Sequence, residues 1–161
     1  MPSKLLTLFA VVIAFTVTSC GLIPTQAKSS IEAVNVDKSR LAIKGYDPVA
    51  YFTEAKPVLG NAQYTAQYNG ATYHFASAKH QSLFTGNPMK YAPQYGGYCA
   101  FGVSKEKKYD TDPMAWAIVD DKLYLNLNEK VQGRWVLNKE ELIVEANDIW
   151  TEIENTPVSE L

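Results

Sequence analysis

Short apolar runs separated by turn-forming residues fill the first two thirds of the chain, and a sustained helical period appears only near its end. Gln63 to Tyr68 alternates, Asn69-Gly70 supplies the φ > 0 pair that a two-residue hairpin turn favours, and Ala71 to Ala76 returns as the partner strand. A period of two puts Tyr73 and Phe75 on one face of that strand and His74 on the other. Ser77 is placed to cap a helix reaching about Thr85, stopped by Gly86, Asn87 and Pro88, with His80, Leu83 and Phe84 on its inward side. Asn87 to Tyr91 predicts a further helical turn, ended where Pro93 restricts Ala92. A second hairpin is predicted from Ala115 to Val119 and Leu123 to Leu127, around Asp120, Asp121 and Lys122. Asn128 then caps a helix through Val136, and Asn138 another from about Lys139 to Ile153, in which Leu142, Ala146, Ile149 and Ile153 repeat helically. Upstream, Ile31 to Ile43 predicts a weak strand or short helix, Gly45 to Pro48 a turn, and Val49 to Phe52 a short strand. The fold expected is α+β: a small antiparallel sheet of two β-hairpins packed with a short central helix and C-terminal helices, spanning residues 36–154, with a tail over 155–161.

A chain of 161 residues suits one such domain, and 47% hydrophobic with 20% charged residues is an ordinary globular composition. A net charge of -2 with no basic stripe excludes nucleic acid as a partner, since phosphate binding needs clustered Lys and Arg. Lys105, Lys107 and Lys108, interrupted by Glu106, read as a solvated turn. All ten tyrosines fall between Tyr46 and Tyr124, which points to an aromatic-rich core or cleft with many hydroxyls to satisfy.

The N-terminus has the pattern of a targeting segment. Lys4 precedes an uncharged apolar run from Leu5 to Val17, too short to span a bilayer comfortably as a helix. Val17, Thr18, Ser19 and Cys20 resemble the bacterial lipobox, which implies a signal peptide over 1–19, lipidation of Cys20 and a tether over 20–35. The membrane is then a partner through that anchor. Gly21 lacks the acidic residue that retains many lipoproteins in the inner membrane, so the resemblance implies the outer membrane of a bacterial envelope, facing the periplasm.

A lipidated Cys20 cannot pair, and Cys99 is left as a lone thiol in an oxidising compartment. Cys99 lies in Tyr95 to Gly102, entered through Gly96 and Gly97 and flanked by aromatic rings. Three readings stand side by side. Its thiolate with the His80 imidazole, and His74 as a further candidate ligand, suits copper(I) or zinc. The same pair suits thiol redox work, because a histidinium beside a thiol raises the thiolate fraction. Cysteine is also among the most buried residue types and can simply fill space among Tyr95, Tyr98 and Phe101. Met89 and Met114 are candidate thioether donors, although single methionines usually fill gaps.

Gly45 to Phe52 (GYDPVAYF), Tyr73 to Ser77 (YHFAS), Phe84, Pro88, Tyr91 and the run YAPQYGGYCAFG resemble the YHS domain, in particular the exported single-domain YHS proteins of bacteria. The resemblance covers about Gly45 to Trp150. It implies a hairpin followed by a helix, and in relatives associated with heavy-metal transport and sensing, cysteines that bind metal. Those cysteines correspond to Ala50, Ala76 and His80 here, so a closed tetrahedral thiolate site cannot be built from what remains. The function expected is binding rather than catalysis: a membrane-anchored envelope lipoprotein holding copper or zinc through Cys99 and His80, with a metal-handling protein as candidate partner. The alternatives are a thiol redox protein using Cys99, and a tethered protein-interaction module without bound metal.

Overall fold

The computed structural model describes residues 33–161. The expected signal peptide over 1–19, Cys20 and most of the expected tether lie outside the described residues. Strands β1 (Asn61–Tyr68) and β2 (Ala71–Phe75) pair antiparallel, as do β3 (Asp112–Val119) and β4 (Lys122–Asn126), and each pair remains its own two-stranded sheet. The helices are α1 (Ala50–Thr53), α2 (Ala78–Gly86), α3 (Pro88–Tyr91), α4 (Ala100–Val103), α5 (Glu129–Leu137) and α6 (Lys139–Ile153). The architecture is the expected α+β one. Among the described residues no helix is long and apolar enough to cross a membrane.

Both hairpins close through two consecutive left-handed residues. Asn69 and Gly70 do so at φ 47° and 75°, and Asp120 and Asp121 at φ 48° and 56°. Left-handed backbone at both central positions matches the right-handed twist of the flanking strands, and Asn and Asp tolerate it better than other residues with a Cβ. Each ladder is interrupted once by an irregularity, between Asn61 and Thr65 in the first hairpin and between Asp112 and Trp116 in the second.

The second hairpin is the wall between two cores. Leu123 and Leu125 face a first core built on Tyr51, Tyr73, Phe75 and Phe84, and Trp116 and Ile118 pack against it. Tyr124 faces a second core built on Tyr95, Trp135, Leu142, Ala146 and Ile153, and Ala117 and Val119 pack there. Strand alternation thus serves both faces at once, so β4 reads as a continuous apolar run. The Tyr51 hydroxyl donates to the Pro113 carbonyl at 3.0 Å and fastens α1 to the start of β3.

Three local expectations are corrected. Val49 to Phe52 was expected as strand; instead Val49 is the N-cap of α1 and Ala50 to Phe52 lie within it, because the Asp47 side chain accepts the Val49 N–H at 2.8 Å and turns the chain there. Asn138 makes no side-chain capping bond, whereas Ser77 and Asn128 accept the His80 and Val131 N–H groups as expected. Lys105 and Lys107 are solvated, but Lys108 is buried. Its ammonium donates to the carbonyls of Glu154 at 2.7 Å and Thr156 at 2.8 Å and sits 5.4 Å from the ring centres of Tyr98 and Trp150. A helix end leaves carbonyls without intrahelical partners, and this cation satisfies them just beyond α6.

The segment entering the domain takes no regular form. It makes isolated bridges from Val36 to Ala42 and from Leu41 to Thr72, and the Asn35 N–H donates to the Gly96 carbonyl at 2.9 Å. Gly96 is required there: its φ is +60°, and an added Cβ would stand 1.9 Å from the Ala33 carbonyl oxygen. Replacing Gly96 by Ala is expected to cost about 2 kcal/mol, from left-handed strain and this clash, as measured by urea unfolding. An unchanged midpoint would show that the entry segment does not lie on this turn.

Candidate functional site

Asp47 is the buried centre of the site. It stands in the turn before α1 and is fully buried, a position a carboxylate tolerates only when its lone pairs are taken. One oxygen accepts the Val49 N–H at 2.8 Å; the other accepts the Ala76 N–H at 2.8 Å and meets His80 Nδ1 at 2.6 Å. An ionised carboxylate only accepts, so Nδ1 carries the hydrogen that it donates to Asp47. Ser77 accepts the His80 backbone N–H at 3.2 Å and fixes the residue in the first turn of α2.

This arrangement turns the other ring nitrogen outward. His80 Nε2 stands 3.3 Å from the Thr53 hydroxyl oxygen and 4.0 Å from a Glu54 carboxylate oxygen. The imidazole is only 11% exposed, while Thr53 and Glu54 are at the surface, so Nε2 lies just beneath a polar rim. The Thr53 hydroxyl also lies 3.1 Å from the Val49 carbonyl, so its one hydrogen serves either that carbonyl or Nε2. A carboxylate holding one imidazole nitrogen fixes the tautomer and raises the basicity of the other, the arrangement found behind metal-ligating and proton-accepting histidines alike. Among the described residues no group of three or more His, Cys, Asp or Glu side chains could hold a metal ion by itself. The donors gathered here are one imidazole nitrogen and one carboxylate.

Ala50, Ala76 and His80, the positions where the resemblance implies sulfur ligands in relatives, converge on Asp47. The carboxylate binds the Ala76 N–H and the His80 ring directly, and Ala50 opens the helix whose Thr53 reaches Nε2. Sequence reading passed over Asp47, Thr53 and Glu54. The available signal was Asp-Pro ahead of Val-Ala-Tyr-Phe, a helix start that would have put Thr53 and Glu54 about two turns beyond the Asp.

Cys99 belongs to another network. It precedes α4, is 1% exposed, and its sulfur accepts the Gly102 N–H at 3.4 Å and the Leu127 N–H at 3.3 Å, with Asn126 Oδ1 at 3.7 Å. Buried Asn126 spends that oxygen on the Phe101 N–H as well, at 3.3 Å. Cys99 and His80 share none of these partners. His74 is with neither: it is partly buried in β2 opposite Thr65, on the face away from Tyr73 and Phe75, and beside Gly45 and Gly60. Burial pushes the Cys99 thiol up, against the downward pull of the Gly102, Leu127 and Phe101 N–H groups. Alkylation of Cys99 in the folded full-length protein, followed by peptide mass spectrometry, should therefore be slow at pH 7. It should rise only above the ordinary thiol range of about 8.5 and become fast in urea. Rapid alkylation at pH 7 would mean an exposed thiolate and contradict this burial.

The comparisons with known proteins bear on the segment that holds His80. No curated protein and no solved structure matches the chain. The YHS domain family model matches residues 49–95, a span that contains His80 and Ala76 and ends before Cys99. YHS domains are generally associated with metal handling. Residues 49–95, with His80 among them, thus match the YHS domain family.

Proposed function

We propose that this protein is an envelope-anchored metal-handling module that takes up zinc or copper(II) at His80 Nε2, with Glu54 as second donor. The observation carrying this reading is the 2.6 Å contact of Asp47 with His80 Nδ1, which leaves Nε2 facing Thr53 and Glu54. Nitrogen and oxygen donors suit zinc and copper(II) better than copper(I), which favours sulfur. Two protein donors leave coordination positions for water or for a partner's side chain, the property of a transfer site rather than a structural one. A chelate shared by His80 and Cys99 is less well supported, because the two residues sit in separate hydrogen-bond networks. Anchoring at Cys20 rests on the Val-Thr-Ser-Cys motif, and the periplasmic face of the outer membrane on the residue that follows it.

Competition of the full-length protein with a chromophoric chelator tests the site. One equivalent of zinc or copper(II) is expected, weakened about tenfold or more by Glu54→Gln and by His80→Asn, and unchanged in Cys99→Ser. Glu54 is exposed, so its substitution separates loss of a ligand from loss of the fold. No stoichiometric binding, or binding lost only in Cys99→Ser, would overturn the proposal.

A further inference from the structure

A concavity lies away from His80, where the tip of the first hairpin, the turn before Cys99 and the last turns of α6 meet. It has a volume of about 340 Å³, the lower end of the range for small-molecule sites. Tyr68, Tyr73, Tyr95 and Trp150 are among the residues that line it, beside Val34, Met89 and Pro93. Tyr95 and Trp150 meet at 5.9 Å between ring centres with their planes inclined at 59°, and the Tyr95 hydroxyl donates to Asn147 Oδ1 at 3.0 Å, which fixes that amide at the rim. Burial, with Tyr124 nearby, pushes the Tyr95 hydroxyl up and keeps it a neutral donor.

Glu154 is the one charged residue among those lining the cleft. Its carboxylate has the neutral Asn155 amide at 3.3 Å and is only partly exposed. Lys108 does not line the cleft. Its ammonium is held by the Glu154 and Thr156 carbonyls and lies over Tyr98 and Trp150. Aromatic faces present negative potential to a cation, a nearby carboxylate adds to it, and both reject an anion. Trp150 already stands beside one ammonium, which shows its ring in that role.

We propose that this cleft binds a small organic ammonium ion carried on an aromatic or alkyl body. The apolar body lies among the tyrosine and tryptophan rings and the ammonium faces Glu154. Nothing in this depends on the metal reading of His80.

Phenethylamine and 3-phenylpropionate, similar in body and opposite in charge, are the probes. Titrated into the full-length protein and followed by calorimetry and the Trp150 indole N–H resonance, phenethylamine should bind saturably and the carboxylate at least about tenfold more weakly. Glu154→Gln should weaken the amine about fivefold and narrow the preference, because it removes the charge but keeps the backbone carbonyl that holds Lys108. Glu141→Gln, an exposed carboxylate in the first turn of α6, should leave both affinities unchanged. Absence of saturable amine binding, equal binding of the two probes, or an amine affinity indifferent to Glu154→Gln would overturn the proposal.

Discussion

A single carboxylate with no access to solvent ties together three elements of the fold. Asp47 starts α1 through the Val49 N–H, holds the end of β2 through the Ala76 N–H, and orients the first turn of α2 through the His80 ring. Burying a carboxylate is strongly unfavourable unless every lone pair is occupied by a good donor. The constraint therefore runs both ways: the three elements satisfy Asp47, and Asp47 dictates how they meet. Where the resemblance implies sulfur ligands drawn together by a metal in other YHS domains, hydrogen bonds to a carboxylate perform the cross-linking here. The histidine is left with a nitrogen to spare.

The second hairpin extends that logic to the whole domain. From Leu123 to Asn126 its second strand is buried on both faces, so the first core and the second are built on opposite sides of that four-residue stretch. Cys99 lies against the end of that stretch, beside Asn126 and Leu127, and His80 lies with the first core's helix. The two residues share no hydrogen-bond partner. Pairing them was an inference from chemistry, since a thiol and an imidazole make an attractive pair.

Much of the fold was legible because its signals are local. Asn69-Gly70, Ser77, Asn128 and the period-two burial of Tyr73 and Phe75 each act within a few residues, and each appears as read. Val-Ala-Tyr-Phe misled because an apolar run of four fits a strand or a helical turn equally, and the deciding bond comes from Asp47 upstream. Lys108 misled because its partners, Glu154 and Thr156, lie some fifty residues away and its neighbours in sequence are charged. His80 was found for its inward position on α2, but its partners were not: Asp47 is 33 residues distant in sequence, and nothing in the spacing announces the pair. Long-range pairing of polar groups in a core is set by the packing of apolar ones, and one sequence shows that packing only in outline.

The account rests on which nitrogen of His80 bears the hydrogen held by Asp47. Long-range ¹⁵N–¹H correlation spectra of the metal-free full-length protein read this directly. A protonated Nδ1, its hydrogen protected from exchange and lost to rapid exchange in Asp47→Asn, is the predicted result. A bare Nδ1 with the hydrogen on Nε2 alone would contradict it, since His80 would then neither satisfy the buried carboxylate nor present a free nitrogen to Glu54.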